Sequence, residues 1–229
     1  MGRVRVYSRA PRAAATGLGG LASLALSVPL LSLAAATPSP CPCPDPTLCR
    51  PLPSAKAKVP LDGAGREVLA FARSDNFSGY DMSLVTTIAA TEAPPSPEAV
   101  CAAHSHGVRI VMLSGAEVDF GNATARAELV SELLNQTEFF GLDGVNLDIE
   151  RFTGDKAGLT AYVRELSAAL KQRSPSGQLS FDLGISPAGQ TAGYDHKALA
   201  ESLDFIVPMA CTPSTPPTHP PLGLPPPAC

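Results

Sequence analysis

The chain has 229 residues, a formal net charge of −4, 45% hydrophobic and 17% charged side chains. That apolar content suffices for one sizeable core. Seventeen basic against 21 acidic residues argue against a nucleic-acid binder held by phosphate contacts.

In chain order, Arg3, Arg5, Arg9 and Arg12 precede an apolar run over residues 17–33 that closes on Ala34-Ala35-Ala36. A positive stretch, an apolar stretch and small residues before a cut predict a signal peptide over 1–36. Its removal takes four arginines and lowers the net charge to −8. The interrupted run is short for a bilayer span, and no later segment is apolar enough, so no membrane partner is expected. Three of the four asparagines stand in sequons, at Asn76, Asn122 and Asn135, which predicts a glycosylated protein of the secretory pathway. Six cysteines suit disulfides in an oxidising compartment. Cys41, Cys43 and Cys49 crowd a Pro-rich leader over 37–67. Cys41 and Cys43 are too close to pair with each other, so at least one is expected to reach Cys49 or Cys101. No second Cys pair or spaced His pair completes a zinc site, and no metal is expected. His104 and His106, just before Gly107, read as residues of a helix C-terminus.

Beyond the leader, strands are predicted over 68–72, 84–89, 108–113, 144–149, 179–185 and 205–209. Helices are predicted over 97–106 (Ser96 as N-cap, Pro97 in the first turn), 125–134, 158–173 and 196–203. In the third of these Leu159, Tyr162, Val163, Leu166 and Leu170 fall on one stripe. Alternating strand and helix imply right-handed βαβ units and a parallel sheet over 68–210. Pro208 falls inside the last strand, where it removes a ladder donor. Residues 211–229 hold eight prolines and form a divergent tail that continues neither strand nor helix.

The chemistry concentrates in Asp143-Gly144-Val145-Asn146-Leu147-Asp148-Ile149-Glu150. Strand alternation puts Asn146, Asp148 and Glu150 on one face. An inward amide and two carboxylates are costly unless paired or used, and they lie at the C-terminal end of a strand, where barrel enzymes keep their active sites. Carboxylates about 6–7 Å apart at Cα raise each other's pKa, and a carboxyl kept protonated near neutrality serves as a general acid.

This segment resembles the D-G-x-D-x-D-x-E signature of glycoside hydrolase family 18, the chitinase-like barrels. The leader CPCPDPTLCRP, the C-x-x-H-S-x-G element at Cys101 to Gly107, Asn146 within the signature and FDLGISP are similar to a lysosomal branch of that family. The resemblance implies an α/β fold of the (β/α)8 TIM-barrel type, here with about six of eight units. It implies hydrolysis of the GlcNAc-β-1,4-GlcNAc bond of chitobiose-type oligosaccharides from N-glycans, without a cofactor, by a lysosomal monomer. Glu150 would be the proton donor, Asp148 would orient the substrate's acetamido group, and Asp143 and Asn146 would support them. Where the family has a Met-x-Tyr-Asp-like element, Met209 is followed by Ala210, Cys211 and Thr212, and the chain has no tryptophan. The alternative reading is a truncated product that is inactive or only binds sugar. An open six-stranded sheet would also leave two edges uncovered.

Overall fold

The computed structural model describes residues 41–61, 65–73, 75, 77, 79–91, 93–149, 152–184 and 193–209. The predicted signal peptide, the tail, Asn76 and Glu150 lie outside the described residues.

Six strands, β1 (Leu69–Ala72), β2 (Thr87–Ala90), β3 (Arg109–Ser114), β4 (Gly144–Leu147), β5 (Gln178–Gly184) and β6 (Phe205–Met209), alternate with four helices. These are α1 (Pro97–Ser105), α2 (Ala123–Phe140), α3 (Lys156–Arg173) and α4 (His196–Ala200). The strands form one parallel sheet in the sequential order β1-β2-β3-β4-β5-β6. A sheet that never reverses its order keeps every crossover of one hand, so the helices gather on one face. That is the singly wound plan of a (β/α)8 barrel, with six of its strands among the described residues. β1 and β6 are the edges, and Pro208 sits on β6 opposite Leu183 of β5. An edge strand tolerates the missing ladder donor.

The helices follow their local signals. Ser96 caps α1 by accepting from the Ala99 N–H, with Pro97 at its first position. Asn122 caps α2 by accepting from Thr124 and Ala125. Asp155 caps α3 by accepting from Ala157. α2 runs further than predicted, to Phe140, because its stop is Gly141, whose φ of 67° supplies the left-handed cap. β2 starts three residues later than predicted. Asp81 holds the preceding segment in a turn, taking the Ser83 N–H and hydroxyl on its side chain and the Leu84 N–H on its carbonyl. Leu84 is left exposed.

The outward strand face supplies Ile88, Ile110, Val145, Leu147, Leu179 and Phe181 to a core shared with Val100, Leu133, Leu159, Tyr162 and Leu166 of the helices. Each such side chain contributes about 1.5–3 kcal/mol on burial. Gly144, with φ 155°, lets β4 approach β5, since a Cβ there would strike the Gln178 backbone.

The leader is tied down covalently. Cys41 pairs with Cys49 and Cys43 with Cys101 of α1, so both early cysteines find partners and the clustered sulfurs are consumed in disulfides. Cys211 and Cys229 lie outside the described residues.

Candidate active site

The inward face of the sheet is polar. Thr87, Arg109, Asn146, Gln178, Ser180 and Asp182 are all buried on it, where barrels ordinarily pack branched aliphatics. Toward the N-terminal strand ends these groups bond one another. Arg109 Nη1 donates to Glu67 Oε1 at 3.2 Å, and Thr87 Oγ1 donates to Gln178 Oε1 at 3.2 Å. Arg109 Nε and Nη2 have no partner.

Toward the C-terminal ends stand the residues singled out by the sequence. Asn146 is paired in register with Leu113 of β3 and Ser180 of β5. Its Nδ2 donates to Ser180 Oγ and to Asp182 Oδ1, each at 2.9 Å. Asp148 lies one pleat further along the same face, just past the last ladder pair, with its N–H donating to the Ser114 carbonyl at 2.9 Å. It is half-buried, and desolvation pushes its carboxyl above the usual carboxylate range. A partly exposed carboxyl beside a buried amide is suited to hydrogen-bond a polar ligand.

Asp143 is not brought to this row. It lies at the opposite end of β4, with its carboxylate turned toward the leader and α1. Oδ1 accepts from the Leu52 N–H at 2.6 Å, and Oδ2 accepts from the Ile110 N–H at 2.6 Å and from His104 Nε2 at 2.8 Å. His104 Nδ1 meets the Leu48 carbonyl at 2.7 Å. The ring thereby bridges the leader and the start of β4. Asp143 thus supports the strand's anchorage, and His104, which stands in the last turn of α1 as the sequence indicated, is also a buried link in that anchorage.

Tyr194 carried no sequence signal of function. Its buried hydroxyl donates to the Ile149 carbonyl and accepts from the Phe152 N–H at 2.8 Å. Ile149 and Phe152 flank the segment holding Glu150, so one phenol ties both sides of it. Only a partner 45 residues away in sequence could have revealed this. Two of the three sequons are described. Asn122 is exposed and spends only its Oδ1 on the α2 cap, and Asn135 is exposed on α2. A groove of about 600 Å³ beside Asn135, lined also by Glu128, Glu132 and Phe139, belongs to the helical layer and not to the polar face. No helix among the described residues is long and apolar enough to cross a membrane.

Sequentially ordered parallel strands, helices on one face, and a polar row at the C-terminal strand ends define a β/α-barrel protein with its site at the strand tips. Residues 85–221 match the glycosyl hydrolases family 18, and the chain belongs to that family. Di-N-acetylchitobiase of Rattus norvegicus is 30% identical over 171 residues, which are 72% of this chain and 44% of the relative. Di-N-acetylchitobiase of Homo sapiens is 32% identical over 140 residues, 58% of this chain and 36% of the relative. The chain therefore spans less than half the length of these relatives. Among solved structures, a mutant of catalytic domain 2 of the Ostrinia furnacalis Group II chitinase, in complex with penta-N-acetylchitooctaose, superposes with a TM-score of 0.53 at 21% identity. That superposition covers 62% of this chain and 50% of the chitinase chain, a likeness of fold.

Proposed function

We propose that the chain is a chitobiase-type glycosidase that splits the GlcNAc-β-1,4-GlcNAc bond of chitobiose-type oligosaccharides released from N-glycans. The observation that carries this reading is the buried Asn146–Asp182–Ser180 network beside a half-buried Asp148, whose carboxyl is pushed up by desolvation. The likeness to di-N-acetylchitobiases and to an N-acetylchitooligosaccharide-bound chitinase supports the sugar class.

In this reading Glu150, two residues beyond Asp148 in the signature, gives its proton to the glycosidic oxygen. The carbonyl oxygen of the substrate's own 2-acetamido group attacks C1 as the C1–O bond breaks, forming an oxazolinium ion, and no enzyme carboxylate becomes bonded to the sugar. Water then attacks C1 with its proton passing to the Glu150 carboxylate, which restores the acid and retains configuration. Asp148 orients the acetamido group, Asn146 supports it, and Asp143 holds the strand from its far end. We assign the protein to the lysosome as a monomer that enters the secretory pathway through residues 1–36, without a cofactor. Asn76, Asn122 and Asn135 are its glycan acceptors.

The test is hydrolysis of N,N′-diacetylchitobiose at acidic pH by the full secreted chain, with Glu150→Gln as the control. Loss of the general acid lowers turnover by roughly 10²–10⁴-fold while the circular dichroism spectrum stays unchanged. Equal turnover by Glu150→Gln removes Glu150 from the mechanism. A folded chain that binds GlcNAc oligomers without cleaving them establishes the sugar-binding alternative.

A further inference from the structure

An amide nitrogen carries two hydrogens, and both on Asn146 are spoken for from β5, by Ser180 Oγ and Asp182 Oδ1. This fixes which way the carboxamide faces. Turned over, it would set Oδ1 against the Asp182 carboxylate, acceptor against acceptor. Oδ1 therefore faces away from Ser180 and Asp182, and it is buried with no donor. An open buried acceptor forfeits its bond to water without a replacement, so its persistence asks for a use. The surroundings narrow that use. Beside Asn146 on β3 is the aliphatic Leu113. One pleat back on β4 is Gly144, which has no side chain, and one pleat forward is Asp148. Arg109 and Glu67 belong to the opposite, N-terminal end of the face.

We propose that Asp182 is a positioning residue of the site: by holding the N–H edge of Asn146 it presents the carbonyl edge, Oδ1, to Asp148. A protonated Asp148 carboxyl finds there the acceptor its hydrogen needs, and the carboxyl is set in one orientation. The desolvation already acting on Asp148 favours that hydrogen-donating form. The two act together: Asp182 holds the amide edge, and Asn146 without Asp182 is free to turn. The inference rests on the glycosidase reading for its kinetic consequence but not for its geometry.

The test compares Asp182→Leu, which removes the acceptor at similar volume, with Asp182→Asn, which keeps one, in the full secreted chain. Hydrogen exchange of the Asn146 side-chain amide is read by ¹⁵N NMR, alongside kcat and KM on N,N′-diacetylchitobiose. Asp182→Leu speeds the exchange and lowers kcat by on the order of tenfold to a hundredfold, with KM little changed, the pattern of a misplaced catalytic group. Asp182→Asn restores most of both. Exchange that is fast in the parent chain, or kcat that is untouched in Asp182→Leu, overturns the proposal; so does an Asp182→Asn chain that behaves like Asp182→Leu. If the parent chain folds but does not hydrolyse the disaccharide, the functional reading fails while the exchange data still decide the positioning. Should Asp182→Leu not fold, Ser180→Ala frees one of the two hydrogens and must give a partial form of the same exchange effect; unchanged exchange there also overturns it.

Discussion

The two ends of β4 hold carboxylates in opposite circumstances. At the N-terminal end Asp143 is buried and receives three hydrogen bonds, from two backbone N–H groups and His104. At the C-terminal end Asp148 is half-buried, its carboxyl is pushed up by desolvation, and the neighbouring Asn146 keeps an unspent acceptor. A carboxylate whose oxygens are already taken by three donors has little left to offer a ligand. A carboxyl short of donors resists ionisation and keeps its hydrogen-bonding capacity for something that arrives. Full satisfaction marks the structural end of the strand, and incomplete satisfaction marks its chemical end.

The comparison can be broken in several places. The largest effect is expected from Gly144→Ala, since the added Cβ would collide with the Gln178 backbone in a conformation that L side chains rarely adopt. A loss of about 4 kcal/mol or more, seen as failure to secrete folded protein, is the outcome; a folded, soluble variant would show that β4 and β5 can part without cost. His104→Ala removes one half of a buried pair and leaves the Leu48 carbonyl without its partner. Denaturant unfolding should show a loss of about 3–5 kcal/mol, while kcat per folded molecule is kept. Tyr194→Phe is smaller, stripping one partner from the Ile149 carbonyl and the Phe152 N–H. It should cost about 1–3 kcal/mol locally and lower kcat, because the segment carrying Glu150 loses its tie. Unaltered kcat would make Tyr194 a packing residue only.

Much of this was legible in the sequence, because it rests on local rules. Period-two alternation placed Asn146 and Asp148 on one face, the stripe from Leu159 to Leu170 foretold α3, and Phe205–Met209 forms the strand its β-branched residues suggested. What escaped rests on distant contacts. Asp143 meets Leu52 across 91 positions, and although strand alternation sets it apart from Asn146 and Asp148, no local pattern names its partners. His104 stands in the last turn of α1 as its position before Gly107 suggested, but nothing local showed that its ring also meets a buried aspartate. Ser180 and Asp182 gave no signal because an alternating polar strand is read as solvent-facing until the register shows them beside Asn146.

The most direct test sets Asp143→Asn against Asp148→Asn, measuring thermal stability from pH 4 to pH 7 and turnover of N,N′-diacetylchitobiose for each. Asp148's carboxyl is held above its ordinary value of 3.8, so folding favours the neutral form. That contribution is complete below pH 3.8 and is lost as the pH rises through the raised value. Asp148→Asn should therefore be slightly more stable than the parent chain at pH 7, by less than about 1 kcal/mol at this partly screened site. The gain should shrink toward pH 4 while turnover falls sharply. Asp143→Asn should lose stability across the range and keep its turnover per folded molecule. The reverse assignment, with Asp143→Asn folded but inactive and Asp148→Asn fully active, would contradict the division of β4 into a structural and a chemical end.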